Sequence, residues 1–355
     1  MSTTKHERPG IYSSYDASSV VSAGTGTKTI GVAAKAAKGD VGTAVTLTGY
    51  AEGINAFGED GESAGMSAIL RLLFLNGASK VMAVRVADAG ATTDYEAGFT
   101  ALGNLEDVRI VVCDSADTAV HQALRTEVET ASARRKERIA VVGGSEEKVA
   151  QLVTHAAALN SERMVLVGPD GLGTSGETLA GVFCAAALAG AVARGSDPAV
   201  PLNGAVLYGL NGLSAVYSDN DIDTLVRGGV TPMESVAGVI SPVRCVTTKT
   251  TTDGAADATW RELSTIQIVD NVIPAIRSSL RSKFTRTKNT AQNRGAIRSQ
   301  VIVELEKKLA AEIIDSYGEV AVSVSADDPT VCLVEFSFAV AHGLNQIYLT
   351  AHITI

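Results

Sequence analysis

Val108-Arg-Ile-Val-Val-Cys113, Ile139-Ala-Val-Val142 and Met164-Val-Leu-Val167 are short apolar runs, each followed by a stretch of helical spacing. Thr118–Arg134 places Val120, Leu124 and Val128 four residues apart, and Glu146–Leu159 and Glu177–Ala193 fill the next two intervals. Apolar residues at that spacing share one helix face, while runs of Val and Ile bounded by turns suit strands. From about residue 92 to 195 the pattern alternates strand and helix with short loops. That predicts an α/β layered unit around a largely parallel sheet.

Upstream, Thr29–Ala34 and Lys80–Val86 read as strands. Between them Ala64–Asn76 reads as a helix burying Met66, Ile69, Leu70 and Leu73, with Gly77 ending it. The first 25 residues hold β-formers, among them Ile11, Tyr12 and Tyr15, but too little apolar material for a core. They read as an extended arm. After Asp197-Pro198 the texture shifts to glycine-rich turns and short strands, with a strand at Ile240–Thr250 and a turn at Asp253–Asp257. Asp270–Phe284 reads as a helix with Pro274 in its first turn. Asn293–Tyr317 reads as a long helix striped by Ile297, Val301, Leu305, Leu309 and Ile313 and closed by Gly318. Val320–Ser325, Val331–Val340 and Asn345–Ile355 read as strands. In the last, Ile347, Leu349, Ala351, Ile353 and Ile355 alternate with Tyr348, Thr350, His352 and Thr354. Such a strand needs a partner, and an exposed edge is a template for another chain.

The chain of 355 residues is 46% hydrophobic and 19% charged, ample for a large core and unlike a disordered polymer. Its net charge of −9 argues against nucleic acid as the general partner. A polar start and the lack of any apolar run near 20 residues point to cytoplasmic folding without membrane insertion. Cys113, Cys184, Cys245 and Cys332 lie far apart and away from zinc-ligand spacing, so each reads as a small buried apolar residue.

Two motifs look catalytic. Gly61-Glu-Ser63-Ala-Gly65 matches the serine-hydrolase elbow, but the polar loop Gly53–Asp60 precedes it where that chemistry needs a strand. Ser63 reads instead as a cap for the following helix. Gly171-Leu-Gly173-Thr-Ser-Gly176 matches a dinucleotide-binding loop and sits between strand and helix. Against it, no strand ending in an acid follows the helix, and the motif lies mid-chain rather than after the first strand. The five histidines, His6, His121, His155, His342 and His352, show no catalytic or metal-ligand spacing. No catalytic residue, cofactor or metal is expected.

One charge feature stands out. Asn271–Val303 contains no Asp or Glu but seven cations: Arg277, Arg281, Lys283, Arg286, Lys288, Arg294 and Arg298. The remainder carries −16 against the overall −9. A basic stretch in an acidic protein suggests an acidic partner surface.

The order of these features resembles the contractile tail sheath proteins of myophages and phage-tail-like bacteriocins. The matching stretches begin with Arg8-Pro9-Gly10-Ile11-Tyr12 and Leu179–Ala193. Asp197-Pro198-Ala-Val-Pro201-Leu-Asn203-Gly204 and Leu225-Val-Arg-Gly-Gly-Val-Thr231 follow. Ile266–Asp270 with its basic helix, Asn293, the long helix and Ile347–Ile353 complete the series. Residues 35–105 are the least similar, and no role is carried over to them. The resemblance implies a non-enzymatic subunit that forms stacked hexameric rings around an inner tube and contracts to drive that tube through a target envelope. Partners would be copies of itself, the tube protein, and baseplate and tail terminator proteins, assembled in the bacterial cytoplasm into a virion tail or released particle. It also implies an arm at 1–26, an outer α/β region at 27–240 divisible into 27–105 and 106–240, an inner domain at 241–342, and a strand arm at 343–355. Ile11, Tyr12, Tyr15, Ile347, Leu349 and Ile353 would link subunits. Arg277, Arg281, Arg294 and Arg298 are expected to face an acidic strip on the tube, the alternative being that they bridge sheath subunits in the acidic outer region. Two rival readings are a nucleotide-dependent enzyme using Gly171–Gly176 and a surface-layer or shell protein.

Overall fold

Thr29–Ala34 (β1) is buried at every position because a strand lies on each side of it and helices cover both faces. The structure is a computed structural model describing residues 26–61, 65–145, 148–173 and 176–353. After β1 come β2 (Ala44–Leu47), α1 (Tyr50–Phe57), α2 (Gly65–Leu75), β3 (Val81–Arg85), α3 (Thr92–Gly103), β4 (Val108–Cys113) and α4 (Thr118–Ala133). Next are β5 (Ile139–Gly143), α5 (Val149–Leu159), β6 (Met164–Gly168), β7 (Gly171–Leu172), β8 (Thr178–Leu179) and α6 (Gly181–Arg194). They are followed by β9 (Gly212–Leu213), α7 (Asp219–Arg227), β10 (Val230–Val236), β11 (Val239–Pro242), β12 (Thr251–Thr252) and β13 (Ala255–Ala256). The chain continues through α8 (Leu263–Phe284), α9 (Ala291–Ala310), β14 (Ile314–Tyr317), β15 (Ala321–Val324), β16 (Cys332–Glu335) and β17 (Phe338–Val340).

The main sheet runs β11-β10-β6-β5-β4-β1-β3-β2. β10, β6, β5, β4, β1 and β3 are mutually parallel, and β11 and β2 close the edges antiparallel. Alternate side chains face opposite layers. Ile30, Val32, Ile110, Val112, Val141 and Val167 meet α2 and α6 on one face. Ala33, Cys113, Val142 and Leu166 meet α3, α4, α5 and α7 on the other. The expected α/β architecture is present. Each fully buried Val or Leu here contributes about 1.5–3 kcal/mol.

Helix α6 is buried from Gly181 to Ala193, which explains its run of small residues. Its first turn lies backbone against backbone on β5, so a Cβ on Gly143 would stand 1.9 Å from the carbonyl carbon of Gly181. A third core joins Ile268, Val272, Ile276, Val301, Leu305, Ile314 and Val320 beneath two two-stranded sheets, β14–β17 and β15–β16. Leu263 and Ile266, at the start of α8, belong to the first core instead. That helix therefore joins the two bodies of apolar packing.

Several local expectations are corrected. Helix α8 begins at Leu263, seven residues before the expected start, so Pro274 lies inside it. The carbonyl of Asp270 thereby loses its intrahelical donor. Helix α9 stops at Ala310, and Ile314–Tyr317 is a strand. The stop is a Schellman turn: Glu312 takes φ 56°, its N–H reaches Leu309 O, and Ile313 N–H reaches Lys308 O. The expected strand Ile240–Thr250 is regular only as far as Pro242. Val331–Val340 splits into β16 and β17. Asn345–Ile353 pairs with no strand among the described residues.

Candidate assembly interfaces

The clearest unsatisfied surface lies at the C-terminal end of the described chain. Among the described residues the last backbone bond to the body is Ala341 N–H to Ile313 O, at 3.3 Å. Beyond it Leu344, Ile347, Tyr348, Leu349 and Ile353 are 73–92% exposed. Folded proteins seldom leave so many large apolar side chains in one exposed row. Their alternation is that of a half-buried strand, yet no sheet among the described residues receives them. Ile11, Tyr12 and Tyr15 lie outside the described residues.

The four arginines expected to face the tube have different surroundings. Arg277 on α8 donates from Nη1 to Oε1 of Glu137, 2.7 Å away, at the amino end of β5. Arg294 Nη1 reaches the carbonyl and side-chain oxygens of Asn289, bracing the turn between α8 and α9. Arg298 Nε donates to Val320 O at 2.8 Å, with Glu319 3.5 Å from its guanidinium. Arg281 is exposed, and its guanidinium has no partner among the described residues. Arg286 and Lys288, in the turn, are likewise exposed. Beside the Arg277 contact, Arg163 and Asp270 form a bidentate pair at 2.9 and 3.1 Å that ties α8 to the sheet. Burial pushes the Asp270 carboxyl above its ordinary range, against the opposing pull of Arg163. The pairs Glu137–Arg277 and Arg163–Asp270 span 140 and 107 residues of sequence, beyond any local spacing rule.

Near the places where catalysis was weighed, the described carboxylates make structural contacts. In doubly wound sheets ligands bind outside the strand carboxyl ends, where the strand order reverses. Here that point lies between β1 and β4, in a cleft of about 600 Å3 bearing Lys35, Asp60, Arg85, Asp88 and Asp114. Asp114 accepts from Tyr95 Oη at 2.6 Å and Lys35 N–H at 2.9 Å, and Asp88 pairs with Arg85 at 2.8 Å. Asp60 faces the N–H of Ser67. These carboxylates hold loops in place. Ser63 lies outside the described residues.

Gly171 and Leu172 form the central strand of a small sheet, and Gly173 N–H binds Glu177 O. The Glu177 carboxylate fills the space a Cβ on Gly173 would take, and Asp170 Oδ1 accepts the N–H of Gly181 at 2.6 Å. Two carboxylates at this helix start oppose a pyrophosphate electrostatically. His121 and His155 are buried and share a 2.9 Å bond, while His121 Nε2 faces Ser115 O. Burial and the neighbouring imidazole push His121 down to about 4. Cys113, Cys184 and Cys245 are buried thiols pushed up to about 12 by desolvation. Among the described residues no cluster of three His, Cys, Asp or Glu is placed to hold a metal, and no helix is long and apolar enough to cross a membrane.

Two family models match the chain: the phage tail sheath protein central domain over residues 88–248, and the phage tail sheath C-terminal domain over 255–354. The chain belongs to the phage tail sheath family. The tail sheath protein of Bacillus phage SP01 is 28% identical over 252 residues, 69% of this chain and 43% of that one. The chain thus spans less than half the length of that sheath relative. A sheath tail protein from Desulfitobacterium hafniense superposes with TM-score 0.70 at 11% identity, covering 93% of this chain and all of that one. The sheath complex of an extracellular contractile injection system in its contracted state gives TM-score 0.72 at 16% identity over 99% of both chains. These two likenesses are of fold. Residues 26–87 precede both family matches yet supply β1, β2 and β3 to the same sheet.

Proposed function

We propose that this chain is a non-catalytic building block of a contractile sheath, polymerising as stacked hexameric rings around an inner tube. Contraction of the stack would drive the tube through a target envelope. Assembly takes place in the bacterial cytoplasm, with baseplate and terminator proteins at the two ends of the tail. The observation that carries the reading is the exposed, alternating segment 344–353, whose apolar side chains and backbone are left without a sheet partner among the described residues. Strand addition would use both at once, backbone bonds for affinity and alternate side chains for register. Ile347, Leu349 and Ile353 would seat on a neighbour's sheet, joined there by the arm carrying Ile11, Tyr12 and Tyr15.

The acid-free stretch would face an acidic strip on the tube. Of Arg277, Arg281, Arg294 and Arg298, Arg281 is the one whose guanidinium has no hydrogen-bond or ion-pair partner among the described residues, so it leads that contact. Exposed charge pairs contribute about 0.2–1 kcal/mol each, weak singly and additive around a ring. Negative-stain microscopy and sedimentation of purified protein test the proposal. Tubes or rings are expected, and a variant lacking residues 347–355 should remain monomeric and folded. Monomers alone across concentration and salt would refute it.

A further inference from the structure

We infer that Asn203 and Pro201 form an exit clamp that fixes where the C-terminal strand leaves the body of the subunit. The inference deepens the strand-donation reading, because it names the residues that aim the donated segment. Asn203 lies in the Pro201-Leu-Asn203-Gly204 turn, which is held down by Gly204 N–H to Pro242 O at 2.8 Å. Its Oδ1 accepts from the backbone N–H of Cys245 at 3.3 Å. A backbone donor on that side fixes the amide's orientation, so the Nδ2 group must point the other way. There it donates to Oδ1 of Asn345 at 2.7 Å.

Two residues earlier the segment passes so close to Pro201 that a Cβ on Gly343 would lie 2.7 Å from Pro201 Cγ. Among the described residues no hydrogen bond joins the segment to the body beyond Asn345. The one further side-chain bond, Tyr348 Oη to Gln346 Oε1, is internal to the segment. An unrooted segment samples many directions, and ordering it opposes association. A tail clamped at its root presents Ile347, Leu349 and Ile353 along a narrower set of directions. The clamp acts on assembly through the strand, so Asn203 and Asn345 are positioning residues.

The test compares Asn345→Leu, which cannot accept the bond, with Asn345→Asp, which can. Asn345→Leu leaves the Asn203–Cys245 contact intact, so the fold is not at issue. Nitroxides at Gln346→Cys and Val216→Cys, on a Cys332→Ala background below the polymerisation threshold, report the root's position by electron–electron distance. Asn345→Leu should broaden that distribution at least twofold and raise the critical concentration for tubes about three- to tenfold, as expected for loss of one hydrogen bond. Asn345→Asp should restore both. An unchanged distribution in Asn345→Leu, or an Asn345→Asp that behaves like it, overturns the clamp. Deleting 347–355 separates the two ideas. If tubes survive the deletion, strand donation falls, while the distance measurement still decides the clamp.

Discussion

Arg163→Ala should destabilise the monomer by about 3–4 kcal/mol, the usual cost of leaving one member of a buried ion pair alone. The side chains of Arg163 and Asp270 are 13% and 16% exposed, and the guanidinium also donates to Arg138 O at 3.1 Å. Removing it strands the Asp270 carboxylate between β6 and α8, where desolvation already raises its pKa despite the partner. Without Arg163 that pKa rises further. Because the folded state then takes up a proton more readily than the unfolded chain, the deficit of Arg163→Ala should shrink as pH falls from 8 to 5. Denaturant unfolding of wild type and variant at both pH values measures this as the difference in midpoint at constant slope. Replacing both partners by apolar residues, Arg163→Met with Asp270→Leu, should recover most of the loss, since desolvation offsets much of what a buried pair contributes. A deficit below about 1 kcal/mol for the single variant, or a double variant as weak as the sum of two singles, would refute the reasoning.

Leu349→Asp should leave monomer unfolding unchanged, because Leu349 is 92% exposed, yet abolish tubes by burying an unpaired charge at each joint; sedimentation beside thermal melting reads both. Stability should fall as pH drops through the window from 6.5 to about 4, where the unfolded chain protonates His121 and the folded one does not. The loss is about 3 kcal/mol, and it should be absent from the pH profile of His121→Phe if that variant folds. Arg281→Glu should leave the monomer's stability intact and yield sheaths empty of tube. Arg277→Glu, which sets a carboxylate against Glu137, should instead cost about 2 kcal/mol in monomer unfolding.

What was legible in the sequence was what local pattern dictates. β4, β5 and β6 are apolar along their length because helices cover both faces, and a run of Val and Ile announces that without knowledge of neighbours. β10 was hidden because Pro232 sits inside it; its carbonyl serves Val243 N–H, and the missing donor cannot be excused from sequence alone. The end of α9 was hidden because Glu312, not glycine, takes the left-handed position. The alternation of Ile347, Leu349 and Ile353 was readable, while the clamp that roots that segment joins residues 142 positions apart. The basic stretch was readable as a charge run. Which of its arginines the fold consumes depends on Glu137, Asn289 and Val320, which no spacing rule brings near.

Helix α8 has a mechanical consequence. At 22 residues it is a rod roughly 33 Å long, with its first turn embedded in the core of the sheet and its far end at the basic turn. A push delivered to that turn reaches the sheet through continuous hydrogen-bonded backbone rather than a slack connector. Pro274, near mid-length, removes one bond from the ladder and makes that point the softest along the rod. Arg163 and Glu137 grip the helix on either side of it, at Asp270 and Arg277. The compliant point of the lever is thereby splinted to the sheet, and a bending load must break an ion pair before the rod can yield.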